Sequence, residues 1–336
     1  MARMNRVVAC IAASAALLLP HCSQVAEEAS APAGWSTVLV AEDPTPRHET
    51  AMVAIGGKAY LMGGRGVKPV EEFDPVARTW RKLGPTPMEM HHFQPVVYDG
   101  RIFVMTAMTG KYPKETPLET LYIYDPIADA WEQGPEIPPS RRRGGAGTVV
   151  YREKIYLACG IIDGHTSGTV AWFDEFDPRT GEWRQLPDAP HARDHFSAVV
   201  SDDRLYLIGG RNTSYHEPDN FTAFFGRVVP EVDVYDFATK QWSTLAAKLP
   251  IGTAAGGLIA IDRSIYYFGG ETAQDLAHAE TQRLDLDTGE WSLVAPLVRG
   301  RHGGGAALLN GAIYFATGSG GRGGGPELAT TEVLRR

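Results

Sequence analysis

Short apolar runs alternate with turn residues in a pattern that predicts antiparallel hairpins through most of the chain. The clearest unit runs from Phe196 to Val200, turns at Asp202-Asp203, and returns through Leu205-Tyr206-Leu207-Ile208-Gly209-Gly210. The same return strand recurs as Ala59-Tyr60-Leu61-Met62-Gly63-Gly64, Ile155-Tyr156-Leu157-Ala158-Cys159-Gly160 and Ile265-Tyr266-Tyr267-Phe268-Gly269-Gly270. Looser copies are Ile102-Phe103-Val104-Met105-Thr106-Ala107 and Ile313-Tyr314-Phe315-Ala316-Thr317-Gly318. Asp99-Gly100 and Asn310-Gly311 are two-residue hairpin turns by composition, because both central positions of such a turn need positive φ.

A second pattern lies in phase with the hairpins. Six of the seven tryptophans, Trp35, Trp80, Trp131, Trp183, Trp242 and Trp291, are separated by 45, 51, 52, 59 and 49 residues. An aspartate stands six places before the tryptophan at Asp74, Asp125, Asp177, Asp236 and Asp285, and Phe73, Tyr124, Phe176, Tyr235 or Leu284 precedes it. Aspartate in such a place accepts from nearby backbone N–H groups and starts a turn.

These marks resemble the kelch family, over about residues 35–334, and a period near 50 is that family's. The resemblance implies an all-β, six-bladed propeller of four-stranded antiparallel blades. The first strand of each blade would line a central channel, and the tryptophan would lie on the outermost strand. Inner strands crowd at such an axis, which accounts for Gly144-Gly145-Ala146-Gly147, Ala254-Ala255-Gly256-Gly257 and Gly303-Gly304-Gly305. Each run begins a strand, so none reads as a phosphate-cradling loop. The last unit has no tryptophan strand of its own, so the strand at Trp35 is expected to complete the sixth blade and remove an open edge.

The formal charge is −8, and removing Arg3 and Arg6 from the 32 basic residues leaves 30 against 40 acidic ones. That balance argues against nucleic acid as a partner. Residues 1–22 read as an export signal, with a basic start and an apolar run from Val7 to Leu19, and 23–34 as a short linker to a propeller over 35–336. Two processing routes fit: lipidation of Cys22, although His21 is not the small residue such a motif carries, or cleavage after Ala31, with a retained anchor as the third route. The expected location is periplasmic, outer-membrane-anchored or secreted, with membrane contact only through a lipid. Cys159 is the one thiol within the repeats, so no disulfide is expected, and a buried apolar role suits it.

Subtracting the repeat leaves one face. In the kelch arrangement, blade connections and the loops between second and third strands emerge together around the channel mouth. That places Arg65, His92, Arg143, His195, Arg211, Tyr215, His216, Glu271 and Arg301 as candidate ligand-binding residues. Arginines at the start of inner strands, Arg47, Arg143, Arg193 and Arg301, have a rival reading as braces between blades. The loop between Gly210 and Tyr235 holds 24 residues, against eight between Gly64 and Phe73. Long loops in compact domains tend to be functional, and its aromatic content fits either a lid on the rim or a flat contact surface.

The leading expectation is a non-catalytic binding module, a monomer, that recognises a polar or anionic partner, a glycan or an acidic peptide, with no cofactor. Resemblance to the galactose-oxidase propellers would imply copper. However, Cys159 has no tyrosine motif beside it, and His91-His92 and His195 show no ligand spacing, so no metal is expected. Resemblance to the sialic-acid mutarotases would instead make Glu271 a catalytic acid/base of a mutarotase or epimerase. Their arginine six residues further on is Ala277 here, and fold likeness is only analogy.

Overall fold

The computed structural model describes residues 34–335 together with Met1. The expected leader, Cys22 and nearly all of the linker lie outside the described residues.

Asp99 and Asn310 take φ of 48° and 50°, and Gly100 and Gly311 follow at 72° and 76°. Both positions of each turn are therefore left-handed, as a tight hairpin matched to strand twist requires. Asp202 and Asp203 do the same without glycine, at 49° and 56°. Hairpins built on these turns assemble into six four-stranded antiparallel sheets. From inner to outer strand, blade 1 runs from Thr50–Ile55 to Thr79–Pro85, and blade 2 from Val96–Tyr98 to Ala130–Glu136. Blade 3 runs from Gly147–Tyr151 to Glu182–Leu186, blade 4 from Ser197–Ser201 to Gln241–Thr244, and blade 5 from Gly257–Ile261 to Trp291–Val294. Blade 6 starts at Gly305–Leu309 and is completed by Gly34–Thr37, where Trp35 faces Leu334 across the strand pair. The closure expected from the sequence is observed.

The tryptophan period has a direct cause. Each tryptophan of blades 1 to 5 is the cross-strand partner of the residue just before the repeated aspartate: Phe73–Trp80, Tyr124–Trp131, Phe176–Trp183, Tyr235–Trp242 and Leu284–Trp291. In blades 1 to 4 these rings lie 4.8–5.1 Å apart, within the range of favourable aromatic pairs. The aspartate closes the turn between them. Asp74 accepts from Val76 N and Ala77 N at 2.8 and 2.9 Å, and Asp125, Asp236 and Asp285 repeat the arrangement.

Crowding at the axis is also observed. A Cβ on Gly305 would come within 2.5 Å of Met52 Cβ, and one on Gly147 within 2.7 Å of Ala198 Cβ. Just before each inner strand, one residue per blade adopts left-handed φ: Glu49, His92, Gly145, His195, Ala255 and Gly303, between 53° and 61°. These six are joined by backbone hydrogen bonds. His92 N donates to Glu49 O, Gly145 N to His92 O, His195 N to Gly145 O, Ala255 N to His195 O, and Gly303 N to Ala255 O. Thr50 N donates to Gly303 O and closes the circuit. This collar ties all six blades together at the channel mouth.

Candidate functional site at the channel mouth

The collar gives the site its register. Two places before each collar residue stands a brace position, occupied by Arg47, Met90, Arg143, Arg193, Thr253 and Arg301. All four arginines are buried, and each pairs with a carboxylate on the third strand of its own blade: Glu71, Asp174, Asp233 and Glu332. Arg143 also donates to Cys159 O, Arg141 O and Leu157 O, and Arg301 to Thr317 O and Thr330 O. Arg143 and Arg301 are thus corrected from ligand contacts to braces, because every direction of their guanidinium fork is spent inside the blade. Cys159 is buried as expected, and burial pushes its thiol up to about 12.

The collar residues themselves face the axis. Two cavities meet here. One, of about 370 Å³, occupies the channel and is bordered by the inner strands and by Glu49, His92, His195, Glu271 and His302. The other, of about 480 Å³, is the mouth, bordered by Glu49, Arg65, His165, Arg211, Phe225 and Glu271 among others. Arg65, His92, His195, Arg211 and Glu271 therefore stand where the sequence placed them.

Tyr215 and His216 do not border the mouth. Tyr215 lies under the Arg227 guanidinium, 3.7 Å from its ring centre, and bonds Glu217. His216 stacks on Phe221 at 4.3 Å and links Phe221 O to Thr166 O. Both shape the blade 4 loop, which folds onto the rim through a short 3-10 turn at Phe221–Gly226. Phe224 is fully buried, Phe225 borders the mouth, and both lie about 5 Å from the Arg211 guanidinium. The loop thus packs on the rim through Phe224 and Phe225 and leaves Phe221 exposed.

Several residues at the mouth were not singled out from sequence. Blade 2 extends a small hairpin, Met108–Thr109 with Thr116–Pro117, that carries Tyr112 and Glu115. Blade 3 lengthens its second and third strands to Lys154–Asp163 and Ser167–Asp177, with His165 at the tip. Asp194 precedes the collar residue His195. The extra length of the blade 3 hairpin beyond Cys159-Gly160 was the available signal for His165.

Buried carboxylates neutralise the arginines. Arg65 pairs with Glu49 and lies 2.7 Å from Glu115, and Arg211 lies 2.5 Å from Glu271. Burial disfavours the charge on Glu115, but hydrogen bonds from His165 and Arg65 outweigh it and hold the carboxyl at about 2. Burial likewise opposes the charges of Glu49 and Glu271. The neighbouring His92 and Arg65 hold Glu49 well below the usual range, and His302 and Arg211 lower Glu271. Burial acts the other way on the imidazoles. It lowers His91 and His92, and with repulsion from Arg211 it brings His195 to about 4. Near neutral pH the mouth therefore sets the neutral imidazoles of His92 and His195 beside arginine–carboxylate pairs. It is not the cationic rim that counting arginines suggests.

The ring, the collar and the aromatic repeat define a kelch-type β-propeller. A family model described as the Attractin/LZTR1 β-propeller matches residues 29–255, and the chain belongs to that family. Among relatives, the chain is 29% identical to the kelch-like protein terF of Aspergillus terreus, over 85% of this chain and 65% of that protein. It is 26% identical to kelch-like protein 15 of Danio rerio, over 67% of this chain and 39% of that one. The chain thus spans less than two thirds of the length of these relatives. Among solved structures, "Structure of YjhT" superposes with a TM-score of 0.73 at 17% identity, covering 87% of this chain and 95% of that one. That likeness concerns the fold.

Proposed function

We propose that this propeller is a binding module whose channel mouth takes a small polyhydroxylated ligand of the sugar class. The observation that supports this reading is the composition of the mouth. A cavity of about 480 Å³ is within the usual range for small-molecule sites. Its arginines are already paired with carboxylates, so the mouth offers donors and acceptors side by side with little excess positive charge. A sugar hydroxyl is both donor and acceptor and fits such a mixture. A strongly anionic peptide would meet Glu49, Glu89 and Glu271 along the same wall. Tyr112 and Phe225 supply apolar faces for the carbon skeleton of a ring.

The test is calorimetry against a panel of neutral and acidic glycans, and against acidic peptides. Sugar binding that is lost in Tyr112→Ala and Arg65→Ala, with both variants folded, is the expected result. Selective binding of acidic peptides, or sugar binding indifferent to both substitutions, would sink the proposal.

A second reading draws on Glu271, which borders both cavities and lies beside Arg211 from the preceding blade. That arginine stands near the carboxylate although position 277 is alanine, so a mutarotase-type proton transfer by Glu271 has a partner at hand. Anomerisation of free sialic acid followed by NMR, wild type against Glu271→Gln, decides it. Export, with or without a lipid on Cys22, is part of the proposal, and fractionation of cells expressing the full chain with Cys22→Ala as control tests it.

A further inference from the structure

His92 and His195 are both collar residues, and Gly145 alone separates them around the collar. With no side chain between, their rings approach to 4.5 Å. The blade 3 hairpin tip then brings in His165, whose ring lies 5.2 Å from His92 and 4.9 Å from His195. One nitrogen from each of the three rings lies within 4.8 Å of those of the other two, and all three residues are buried. Nothing in the repeat requires a histidine at any of these places. Four blades put other residues at the collar.

The orientation of each ring is fixed from behind. His195 Nδ1 lies 2.6 Å from Asp194 Oδ1, and His165 Nδ1 lies 3.1 Å from Glu115 Oε2. His92 Nδ1 lies 2.6 Å from His91 Nδ1. The two carboxylates are themselves held: Asp194 accepts from Thr213 N at 3.0 Å and Thr169 Oγ1 at 2.6 Å, and Glu115 accepts from Arg65. For His195 and His165, an Nδ1–H given to the carboxylate leaves the opposite nitrogen, Nε2, as a lone pair. That is the arrangement by which ligating imidazoles are positioned and made more basic.

One of those remaining nitrogens is buried without any hydrogen-bond partner among the described residues, and a second faces a carboxylate oxygen. His195 Nε2 is buried and has no hydrogen-bond partner. His92 Nε2 is buried too and faces Glu49 Oε1 at 2.8 Å. Buried polar atoms without partners are costly and uncommon in native proteins. A packing cluster would be expected to satisfy both nitrogens of each ring.

We propose that His92, His165 and His195 bind a divalent transition-metal ion of the zinc class through Nε2, at the floor of the channel mouth. Three imidazoles suit zinc and its first-row neighbours, whereas calcium and magnesium require oxygen ligands. Zinc–nitrogen bonds of about 2.0–2.1 Å place tetrahedral nitrogens about 3.3 Å apart, so the rings need close by only a small rotation. Glu49, beside His92, is within reach as a fourth ligand. The inference does not rest on the sugar reading, because none of its observations involves a ligand in the mouth.

The experiment uses the full chain, stripped with a chelator and titrated with zinc by calorimetry and chelator competition. Expected are one ion per chain, a melting temperature that rises with zinc, and, for the cobalt-loaded protein, the visible absorption of a tetrahedral site. His165→Ala and His195→Ala are each expected to lose at least tenfold in zinc affinity. Glu115→Gln, which keeps shape but weakens the support of His165, is expected to lose about 10–100-fold. Because His165 sits at a hairpin tip, the metal-free His165→Ala protein should melt as the metal-free wild type does, and it decides the matter if His195→Ala does not fold. Absence of stoichiometric zinc binding to the wild type, or wild-type affinity in His165→Ala, overturns the proposal. So does equal affinity for magnesium.

Discussion

Arg211 of blade 4 and Glu271 of blade 5 form a buried ion pair across a blade boundary, 2.5 Å apart, with Gly323 N of blade 6 donating to the same carboxylate at 2.8 Å. Removing one partner leaves the other as an uncompensated buried charge or acceptor, which costs about 3–5 kcal/mol. Arg211→Met and Glu271→Gln are each expected to lower stability on that scale, and the double variant to recover much of the loss. A denaturant double-mutant cycle measures this. Additive losses would mean that the two residues act separately.

Trp35 carries ring closure. It is nearly buried, its Nε1 donates to Thr281 Oγ1 at 2.8 Å, and its ring lies 5.0 Å from Phe268 of blade 5. Trp35→Ala is expected to cost about 3–5 kcal/mol. Deletion of residues 34–40 should go further, exposing the Thr331–Arg335 edge to association, read as a lower melting temperature with concentration-dependent light scattering. An unchanged transition in the deletion would refute closure by this strand.

Braces and mouth residues should separate in a paired measurement. Arg143→Ala and Arg301→Ala remove buried guanidinium groups that tie strands within a blade, so stability should fall by about 3–5 kcal/mol. Ligand affinity of whatever remains folded should be little changed. Tyr112→Ala, at an exposed rim position, should do the reverse.

The repeated turn aspartates predict an acid limb. Hydrogen bonding from Lys58, then from Ala77 N, holds Asp74 at about 2, and Lys154 followed by Arg179 N does the same for Asp177. Both carboxyls are depressed below their unfolded value, near 3.8. Their contribution is thus fully present above that value and is lost as pH falls through about 2. Melting temperature is expected to decline over that window. Asp74→Asn, which keeps an acceptor for the turn, should flatten part of the decline.

Hairpin turns, the tryptophan–aspartate spacing and the need for an N-terminal closing strand were all legible in the chain. Each is a local matter of φ, of turn acceptors, or of one residue facing another across a short turn, so it recurs wherever the residues recur. Arg65, His92, His195, Arg211 and Glu271 were also legible, because each holds a fixed offset from a repeat mark. Offsets alone could not separate Arg143 and Arg301 from them, since a brace and a ligand contact differ only in where the guanidinium finds its acceptors.

The chain by itself thus determined the propeller and the face on which a site could form. Tertiary structure decided the site's chemistry. His92, His165 and His195 belong to three successive blades, and Glu115 reaches His165 from a loop 50 residues away in sequence. No linear spacing encodes that meeting, because it follows from strands converging on an axis. The same convergence pairs the arginines with carboxylates, so the charge of the mouth depends on which side chains become neighbours and not on how many of each the sequence contains.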